Sequence, residues 1–204
     1  MKNDVTPTFA TMRQRGQDAL RAYLLDAASR LLATEGPAAL TMRRIAAEVG
    51  CSTTVLYTLF GNKDGVAAGL FREGFERFRR RLAGLPAGDD PIGRVRDLAM
   101  AYRAAALAEP QYYRVMFLGA IPGYAPSGEV LAAGDRVFDY LVDAARACMD
   151  AGVYRPGDPV AVAEVLWAAA HGVLSLELAG VLPPDEDRYR AATSAATEWF
   201  LTTS

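Results

Sequence analysis

TMRRIAAEVGCSTTVLYTLFGNK, residues 41–63, is the stretch that decides the fold of the N-terminal part of the chain. Its first half opens on Thr41, a residue type that caps helices, and brings Ile45 and Val49 onto one helical face. Gly50 follows, and glycine readily adopts the left-handed backbone that ends one helix and redirects the chain. The second half opens on Ser52, another capping type, and continues with apolar residues on one face at Val55, Leu56 and Leu59. This pattern predicts a helix-turn-helix.

The outer side of the second helix carries hydrogen-bonding groups and no charge. These groups are Ser52, Thr53, Thr54, Tyr57 and Thr58. Short or planar polar side chains suit a helix that must reach base edges and phosphate oxygens. A helix that only faces solvent more often carries Glu and Lys. The sequence therefore favours DNA as the partner of this helix.

Charge is distributed unevenly along the chain. Residues 1–82 hold 13 Lys and Arg against 8 Asp and Glu, a net charge of +5, whereas the remaining 9 basic and 16 acidic residues give −7. A chain that needed only solubility has no reason to separate its charges in this way. A chain that presents its N-terminal end to a polyanion does, which again indicates nucleic acid.

Composition limits the other possibilities. The chain has 204 residues, 51% of them hydrophobic, which is enough for a packed core. The longest charge-free stretches, residues 49–62 and 115–128, are shorter than a membrane span, and the N-terminus lacks the apolar run of a secretory signal. Cys51 and Cys148 lie far apart without metal-ligand spacing. We therefore expect a cytoplasmic protein with no metal, no cofactor and no membrane contact.

Two other classes of function have less support in the sequence. An enzyme has little support, since the chain contains no Gly-rich phosphate loop, no nucleophile elbow and no HExxH motif. An all-helical adaptor that binds only protein is the remaining alternative. Such an adaptor would need no charge separation, and its binding would not depend on Tyr57 or Lys63.

The sequence resembles a known family at the residues just described. From a leading helix through LTMRRIAAEVGCSTTVLYTLFGNKDGV, residues 40–66, it is similar to the DNA-binding head of TetR-family transcriptional regulators, over roughly residues 17–70. Cys51 stands where the family usually has an aliphatic residue, and Leu59 where histidine or tyrosine often occurs. The resemblance implies a sequence-specific homodimer on a palindromic operator, most simply a repressor that a bound ligand relieves.

The resemblance also implies which residues touch DNA. Thr53 and Thr54 would face base edges, while Tyr57 and Lys63 would contact phosphates. Thr41 would cap its helix and touch a phosphate. The complete predicted DNA-binding set is Thr41, Arg43, Arg44, Ser52, Thr53, Thr54, Tyr57, Thr58 and Lys63.

We predict an all-α fold of about nine helices. Residues 1–16 are expected to form a mobile tail, residues 17–62 the helix-turn-helix domain, and residues 63–204 a connector helix with a ligand-binding and dimerisation domain. The first helix starts at Gln17 and stops at Gly36-Pro37, and the connector runs from Lys63 to a break at Gly84. The later helices are predicted over residues 91–107, 111–118, 129–151, 159–178 and 185–202.

The penultimate helix, VAVAEVLWAAAHGVLSLELAG, is apolar nearly all round. Such a helix must be buried on two faces, one inside its own domain and one against a partner, which matches the dimerisation of the family through its last two helices. Its Trp167…His171-Gly172 pattern also resembles a Trp-His-Gly ligand-domain type of that family. The predicted dimer interface is Leu166, Ala170, Val173, Leu174, Trp199 and Phe200.

Aromatic residues of the C-terminal part are candidates for a ligand pocket. The predicted pocket is Tyr102, Tyr113, Phe117, Phe138, Trp167 and His171. Aromatic residues at helical spacing are more often ordinary core than a binding site, but tyrosine hydroxyls in a core need partners, which favours a cavity for a small lipophilic or aromatic effector. His171 is the sole histidine, and we expect it to be a hydrogen-bonded buried side chain rather than a metal ligand or a catalytic group.

Overall fold

A computed structural model of the protein describes residues 8–86 and 88–202. Within these ranges the chain forms nine α-helices, one short 3-10 turn at Pro37–Ala39 and a single isolated bridge between Tyr154 and Leu201. The all-α prediction is confirmed. The helices are α1 Phe9–Thr34, α2 Met42–Val49, α3 Thr53–Phe60, α4 Lys63–Ala83, α5 Pro91–Ala108, α6 Pro110–Phe117, α7 Gly128–Asp150, α8 Pro159–Leu178 and α9 Glu186–Glu198.

The head consists of α1, α2 and α3, and local sequence signals set its turns. The Thr41 hydroxyl accepts a hydrogen bond from the backbone N–H of Arg44 at 3.1 Å, which caps α2. Gly50 ends α2 with φ of 69°, in the left-handed region that favours glycine. Leu56 of α3 is fully buried in the same cluster as Ile45. The predicted helix-turn-helix is therefore present.

Helix α1 begins at Phe9 rather than at the predicted Gln17. Thr8 caps it by accepting the N–H of Thr11 at 3.3 Å. Every residue of α1 up to Leu20 is exposed, so this part of the helix has no buried apolar face that a sequence pattern would reveal. Part of the predicted tail is thus helical, and residues 1–7 lie outside the described residues.

Helix α4 belongs to the head and to the body at once. It packs against α1 and α3 of the head and against α5, α6 and α7 of the body. One continuous apolar cluster runs along it, from Val66 near Phe60 to Phe75 and Phe78 beside Tyr113. The predicted connector is therefore a core element of both parts.

The C-terminal end departs from the prediction in one detail. Helix α9 ends at Glu198 instead of Thr202, because the chain then turns to run beside residues 153–155. The Arg155 N–H donates to the Phe200 carbonyl at 2.9 Å, and the Thr202 N–H donates to the Val153 carbonyl at 3.0 Å.

Among the described residues, α8 is the one helix that is long and apolar enough to cross a membrane. The core helices of soluble proteins can have the same length and composition. Its inner face, at Val162, Leu166 and Leu174, is buried in the two apolar clusters of this chain.

Gly65, in the first turn of α4, makes the closest backbone approach in the head. A Cβ atom built on it would lie 1.7 Å from the carbonyl oxygen of Phe60, and its N–H donates to the Asn62 side chain at 2.9 Å. Backbone atoms cannot withdraw as a flexible side chain can. The α3–α4 turn therefore requires glycine here.

We predict that Gly65→Ala lowers the free energy of unfolding by about 1 to 3 kcal/mol, as overpacking does, although alanine normally favours a helix. Gly16→Ala is the matched control, because nothing lies within 4 Å of a Cβ built at this exposed position of α1. The control should be as stable as wild type or up to about 1 kcal/mol more stable. Urea denaturation followed by circular dichroism measures both, and a Gly65→Ala protein of undiminished stability would contradict the prediction.

Candidate functional site

The outer face of α3 is exposed where the sequence predicted DNA contacts. Tyr57 is 54% exposed, and Ser52, Thr54 and Thr58 are also exposed, whereas Thr53 is half-buried. Ser52 occupies the capping position of α3, but its hydroxyl makes no capping hydrogen bond. The Thr58 hydroxyl donates to the Thr54 carbonyl at 2.8 Å, so its proton is already engaged. Ser52, Thr54 and Tyr57 are thus the best placed donors on this face.

The two arginines predicted on α2 differ in their surroundings. Arg44 is held between Glu35 at 2.5 Å and Glu48 at 2.9 Å. The hydrogen bond to Glu35 is the main cause that raises the pKa of Arg44, and it lowers the pKa of Glu35 in return. Arg43 is exposed. Because its charge is already balanced by two carboxylates, Arg44 is less suited to a phosphate contact than Arg43.

A further arginine, which the sequence did not single out, fixes the end of α3. The Arg21 guanidinium donates to the Leu59 carbonyl at 2.5 Å and lies 4.9 Å from the ring centroid of Phe60. A cation at the C-terminal end of a helix is stabilised by the free carbonyls there. Arg21 thus joins α1 to α3. Lys63 is exposed at the start of the next helix.

The body contains a cavity of about 650 Å³ between α4, α5, α7, α8 and α9, with the end of α6 at its edge. Four of the six predicted pocket residues line it, namely Tyr102, Phe117, Phe138 and Trp167. Tyr113 and His171 do not line it and lie behind its wall, in hydrogen-bonding contact with Tyr102 or with each other. The cavity has the size of a small-molecule site and a mainly apolar wall.

A hydrogen-bonded network links that wall to the interior. The Trp167 Nε1–H donates to the Tyr102 hydroxyl at 3.3 Å, and His171 Nδ1 lies 3.1 Å from the Tyr102 hydroxyl and 2.8 Å from that of Tyr113. The Ser175 hydroxyl lies 3.0 Å from the Tyr113 hydroxyl and 3.1 Å from His171 Nε2. Burial lowers the pKa of His171 and raises that of Tyr102. The imidazole is therefore a neutral, hydrogen-bonded member of the network, and it is half-buried rather than buried.

The dimer-interface prediction needs correction for three residues. Leu166, Ala170 and Leu174 are at most 5% exposed and belong to the interior of their own chain, and the first two line the cavity. Val173 and Phe200 pack partly against the same clusters, while Trp199 is 72% exposed. Since α8 is apolar nearly all round, its sequence does not show which face packs inward. The outward face carries Ala161, Val165, Ala168, Gly172 and Leu176.

An ionic cluster that the sequence analysis missed joins the head to the body. Arg77 of α4 pairs with Asp26 of α1 at 2.7 Å, with Glu73 at 2.7 Å and with Glu109 at 2.5 Å. Its guanidinium also lies 4.6 Å from the ring centroid of Tyr112, whose hydroxyl donates to Asp26 at 2.9 Å. Burial alone would lower the pKa of Arg77, but the hydrogen bonds to Glu73 and Glu109 raise it. Only Glu73 lies one helical turn from Arg77, whereas Asp26 and Glu109 are far away in sequence, so no local pattern predicts the whole cluster.

Within residues 8–86 and 88–202, no group of three or more His, Cys, Asp or Glu side chains is arranged to hold a metal ion. The two cysteines are separate, with Cys148 buried and Cys51 half-buried. Burial raises the pKa of the Cys148 thiol to about 11.

Two family models match the chain. "Bacterial regulatory proteins, tetR family" matches residues 24–70, and "Tetracyclin repressor-like, C-terminal domain" matches residues 95–198. The chain is 24% identical over 201 residues to the HTH-type transcriptional regulator Rv1816 of Mycobacterium tuberculosis, with 82% of this chain and 84% of that protein covered.

Solved structures agree in fold. A protein of unknown function from Rhodococcus sp. RHA1 is 26% identical, with a TM-score of 0.76 over 99% of this chain and 100% of that one. PfmR, a TetR family transcriptional regulator from Thermus thermophilus, is 19% identical, with a TM-score of 0.66 over 85% of this chain and 94% of that one, and shares the fold.

The ionic cluster leads to a stability prediction. Asp26→Asn keeps the side-chain shape and an acceptor oxygen for Tyr112 but removes the negative charge that faces Arg77, so we expect a loss of about 1 to 2 kcal/mol in unfolding free energy. Asp18→Asn is the control, because Asp18 is exposed on the same helix and, among the described residues, its side chain hydrogen-bonds to the exposed Gln14 and forms no ion pair. Its effect should stay within about 0.5 kcal/mol. Equal effects of the two substitutions, measured by urea denaturation, would refute the role given to the cluster.

Proposed function

Because the chain belongs to the TetR family of bacterial regulatory proteins, we propose that it acts as a homodimeric repressor on a palindromic operator and that a small molecule bound in the body relieves the repression. The family consists of DNA-binding transcriptional regulators and not of enzymes. This excludes the enzyme and disfavours the protein-only adaptor. The observation that carries the proposal is the exposed, uncharged hydrogen-bonding face of α3 on a head that shares its apolar core with the walls of a cavity.

In this proposal α3 enters the major groove. Thr53 and Thr54, at its start, face base edges, and Tyr57 and Lys63 contact phosphates on either side. Thr41, Arg43, Ser52 and Thr58 complete the contact surface. Arg44 has the weakest support because Glu35 and Glu48 hold its guanidinium. In a two-fold dimer the second recognition helix would reach the next major groove, about 34 to 36 Å along the duplex.

The dimer is proposed to form through α8 and α9. The outward face of α8 is uncharged from Val165 to Leu176, and Ala168 and Gly172 leave room for a close helix approach. Trp199, directly after α9, is 72% exposed and adds a further apolar side chain to the proposed interface. An apolar face this long, on a helix whose inner side is already covered by its own chain and lines the cavity, is typical of a subunit interface.

Relief by a ligand is supported by the position of α6. Tyr113 of α6 reaches the hydrogen-bonded network behind the cavity wall, while the adjacent Tyr112 reaches Asp26 of the head. A ligand that shifts α6 therefore shifts contacts in the cavity wall and in the head together. To change operator occupancy about tenfold, the ligand must prefer one state by about 1.4 kcal/mol.

Three further points belong to the proposal. The Trp167…His171-Gly172 pattern supports the Trp-His-Gly ligand-domain type, since Trp167 lines the cavity and lies 5.1 Å from His171 between ring centroids. DNA binding is assigned to residues 17–62 and ligand sensing to residues 63–204, with α4 packed against both parts. A DNA-binding regulator of this family works in the cytoplasm.

Lys63 tests the DNA contact. We predict that Lys63→Gln weakens binding to the DNA upstream of the gene and reduces the slope of log affinity against log salt by about 0.9 per lysine, close to 2 for a dimer. Arg146→Gln is the control, because Arg146 is exposed on α7, which packs against body helices. Its slope should equal that of wild type. Fluorescence anisotropy at 50 to 200 mM KCl gives the slopes, and wild-type protein without sequence-selective binding would disprove the proposal.

Val165 tests the dimer. Val165 is 46% exposed in the single chain, so Val165→Glu should leave the fold intact, but it would bury an unpaired charge at the interface. We expect the dimer dissociation constant to rise at least about 100-fold. Leu107→Glu, at a 42% exposed leucine of α5, is the matched control and should remain dimeric. Light scattering after gel filtration measures the mass, and a Val165→Glu dimer as tight as wild type would place the interface elsewhere.

A further inference from the structure

One ring nitrogen in the network behind the cavity has two hydroxyl neighbours. His171 Nδ1 lies within hydrogen-bonding distance of both Tyr102 and Tyr113. A neutral imidazole nitrogen either carries one hydrogen or offers one lone pair, so Nδ1 bonds well to only one hydroxyl at a time. One of the two tyrosines must therefore find another partner.

Tyr113 has such a partner in the Ser175 hydroxyl, which does not hydrogen-bond to Tyr102. The Tyr113 hydroxyl is closer to Nδ1, at 2.8 Å against 3.1 Å, and also lies 3.0 Å from the Ser175 hydroxyl. With either imidazole tautomer, Tyr113, His171 and Ser175 can satisfy one another. This set does not need the Tyr102 proton, so Tyr102 can turn its O–H from the neighbouring Tyr113 oxygen to the cavity, which it lines and Tyr113 does not.

The Tyr102 oxygen is already used as an acceptor. The indole Nε1–H of Trp167 points to it at 3.3 Å, and an indole nitrogen can only donate. Burial raises the pKa of Tyr102, which keeps the phenol protonated. The group that Tyr102 presents to the cavity is thus an O–H donor.

The rest of the cavity wall holds no buried charge. Its charged residues, Arg96, Asp135, Glu164 and Arg190, are all exposed at the edges. The buried cation Arg103, next to Tyr102 in sequence, does not line the cavity. Its charge is balanced by the buried carboxylate of Glu177. An unpaired charge inside this wall would be strongly unfavourable.

We propose that the effector is an uncharged, mainly apolar molecule that carries a carbonyl-type hydrogen-bond acceptor, and that this acceptor receives the O–H of Tyr102. The proposal rests on the cavity being the ligand site of the proposed function. Tyr102 is then the residue that selects among apolar molecules of similar shape. When the carbonyl accepts from Tyr102, Tyr113 keeps its hydrogen bonds with His171 Nδ1 and Ser175. Nδ1 then no longer alternates between the two tyrosines.

The test uses three probes of nearly the same shape: 2-acetylnaphthalene, 2-isopropenylnaphthalene and 2-naphthoate. They place a carbonyl, a hydrocarbon and a carboxylate on one skeleton. Equilibrium dialysis against the full-length protein gives an affinity for each. We expect wild type to retain the ketone and not the carboxylate, and the ketone-to-hydrocarbon affinity ratio to fall about tenfold or more in Tyr102→Phe.

Two further variants sharpen the result. Tyr140→Phe makes the same change at another residue that lines the cavity, and its ratio should equal that of wild type. Tyr113→Phe frees His171 Nδ1 to accept from Tyr102, so the affinity ratio of this variant should fall as well. This variant therefore tests the proposal even if Tyr102→Phe does not fold. Purely apolar contact by Tyr102 would not respond to a change at Tyr113.

Three results would each overturn the proposal. They are an equal affinity ratio in wild type and in the Tyr102 and Tyr113 variants, no retention of the ketone by wild type, and tighter binding of 2-naphthoate than of the ketone. Operator binding by the same preparations separates this outcome from failure of the proposed function. If the protein binds DNA selectively and the ketone-to-hydrocarbon affinity ratio is unchanged in the variants, only the proposed effector class is refuted. If the ratio depends on Tyr102 but the protein does not bind DNA selectively, the effector class is supported and the proposed repressor function is refuted.

Discussion

The packing of α4 into two parts of the molecule is the constraint on which the rest of the structure depends. Its first turns close the head beside Phe60, and its middle turns, with Phe75 and Phe78, form part of the cavity wall. A rigid helix shared by two sites transmits displacement instead of absorbing it. Arg77 strengthens the connection, because its guanidinium binds carboxylates from α1, from α4 and from the start of α6. The head cannot move far relative to the cavity without breaking buried apolar contacts and this ionic cluster.

The helices were largely predictable because their ends carry local signals. Thr41, Gly50 and Asp185 act at the positions where their chemistry indicates a cap or a turn, and the structure uses them there. The start of α1 was not predictable, since its first turns are exposed and lack an apolar stripe. The inward face of α8 was not predictable either. A helix that is apolar all round gives no preferred direction, so neighbouring helices decide which of its side chains are buried.

The candidate sites divide in the same way. The polar outer face of α3 follows from helical periodicity alone, and the structure exposes most of it. The surroundings of each side chain do not follow from periodicity, and they change the expected roles. Glu35 and Glu48 engage Arg44, while Tyr113 and His171 stand behind the cavity wall. Arg44 and Glu48 have the i, i+4 spacing of neighbours on one helix, but the other relations join separate parts of the chain that only the fold brings together.

Helix α8 forms a wall one helix thick between the cavity and the outer face of the molecule. Leu166 and Ala170 line the cavity from one side of this helix, while Val165 and Ala168 face outward from the other. An α-helix with its side chains is about 10 to 12 Å across. In the proposed dimer, two such walls would lie back to back, and occupancy of one cavity would bear directly on the shape of the other. Binding at the two cavities would then be coupled, and the response to effector concentration would differ from that of two independent sites.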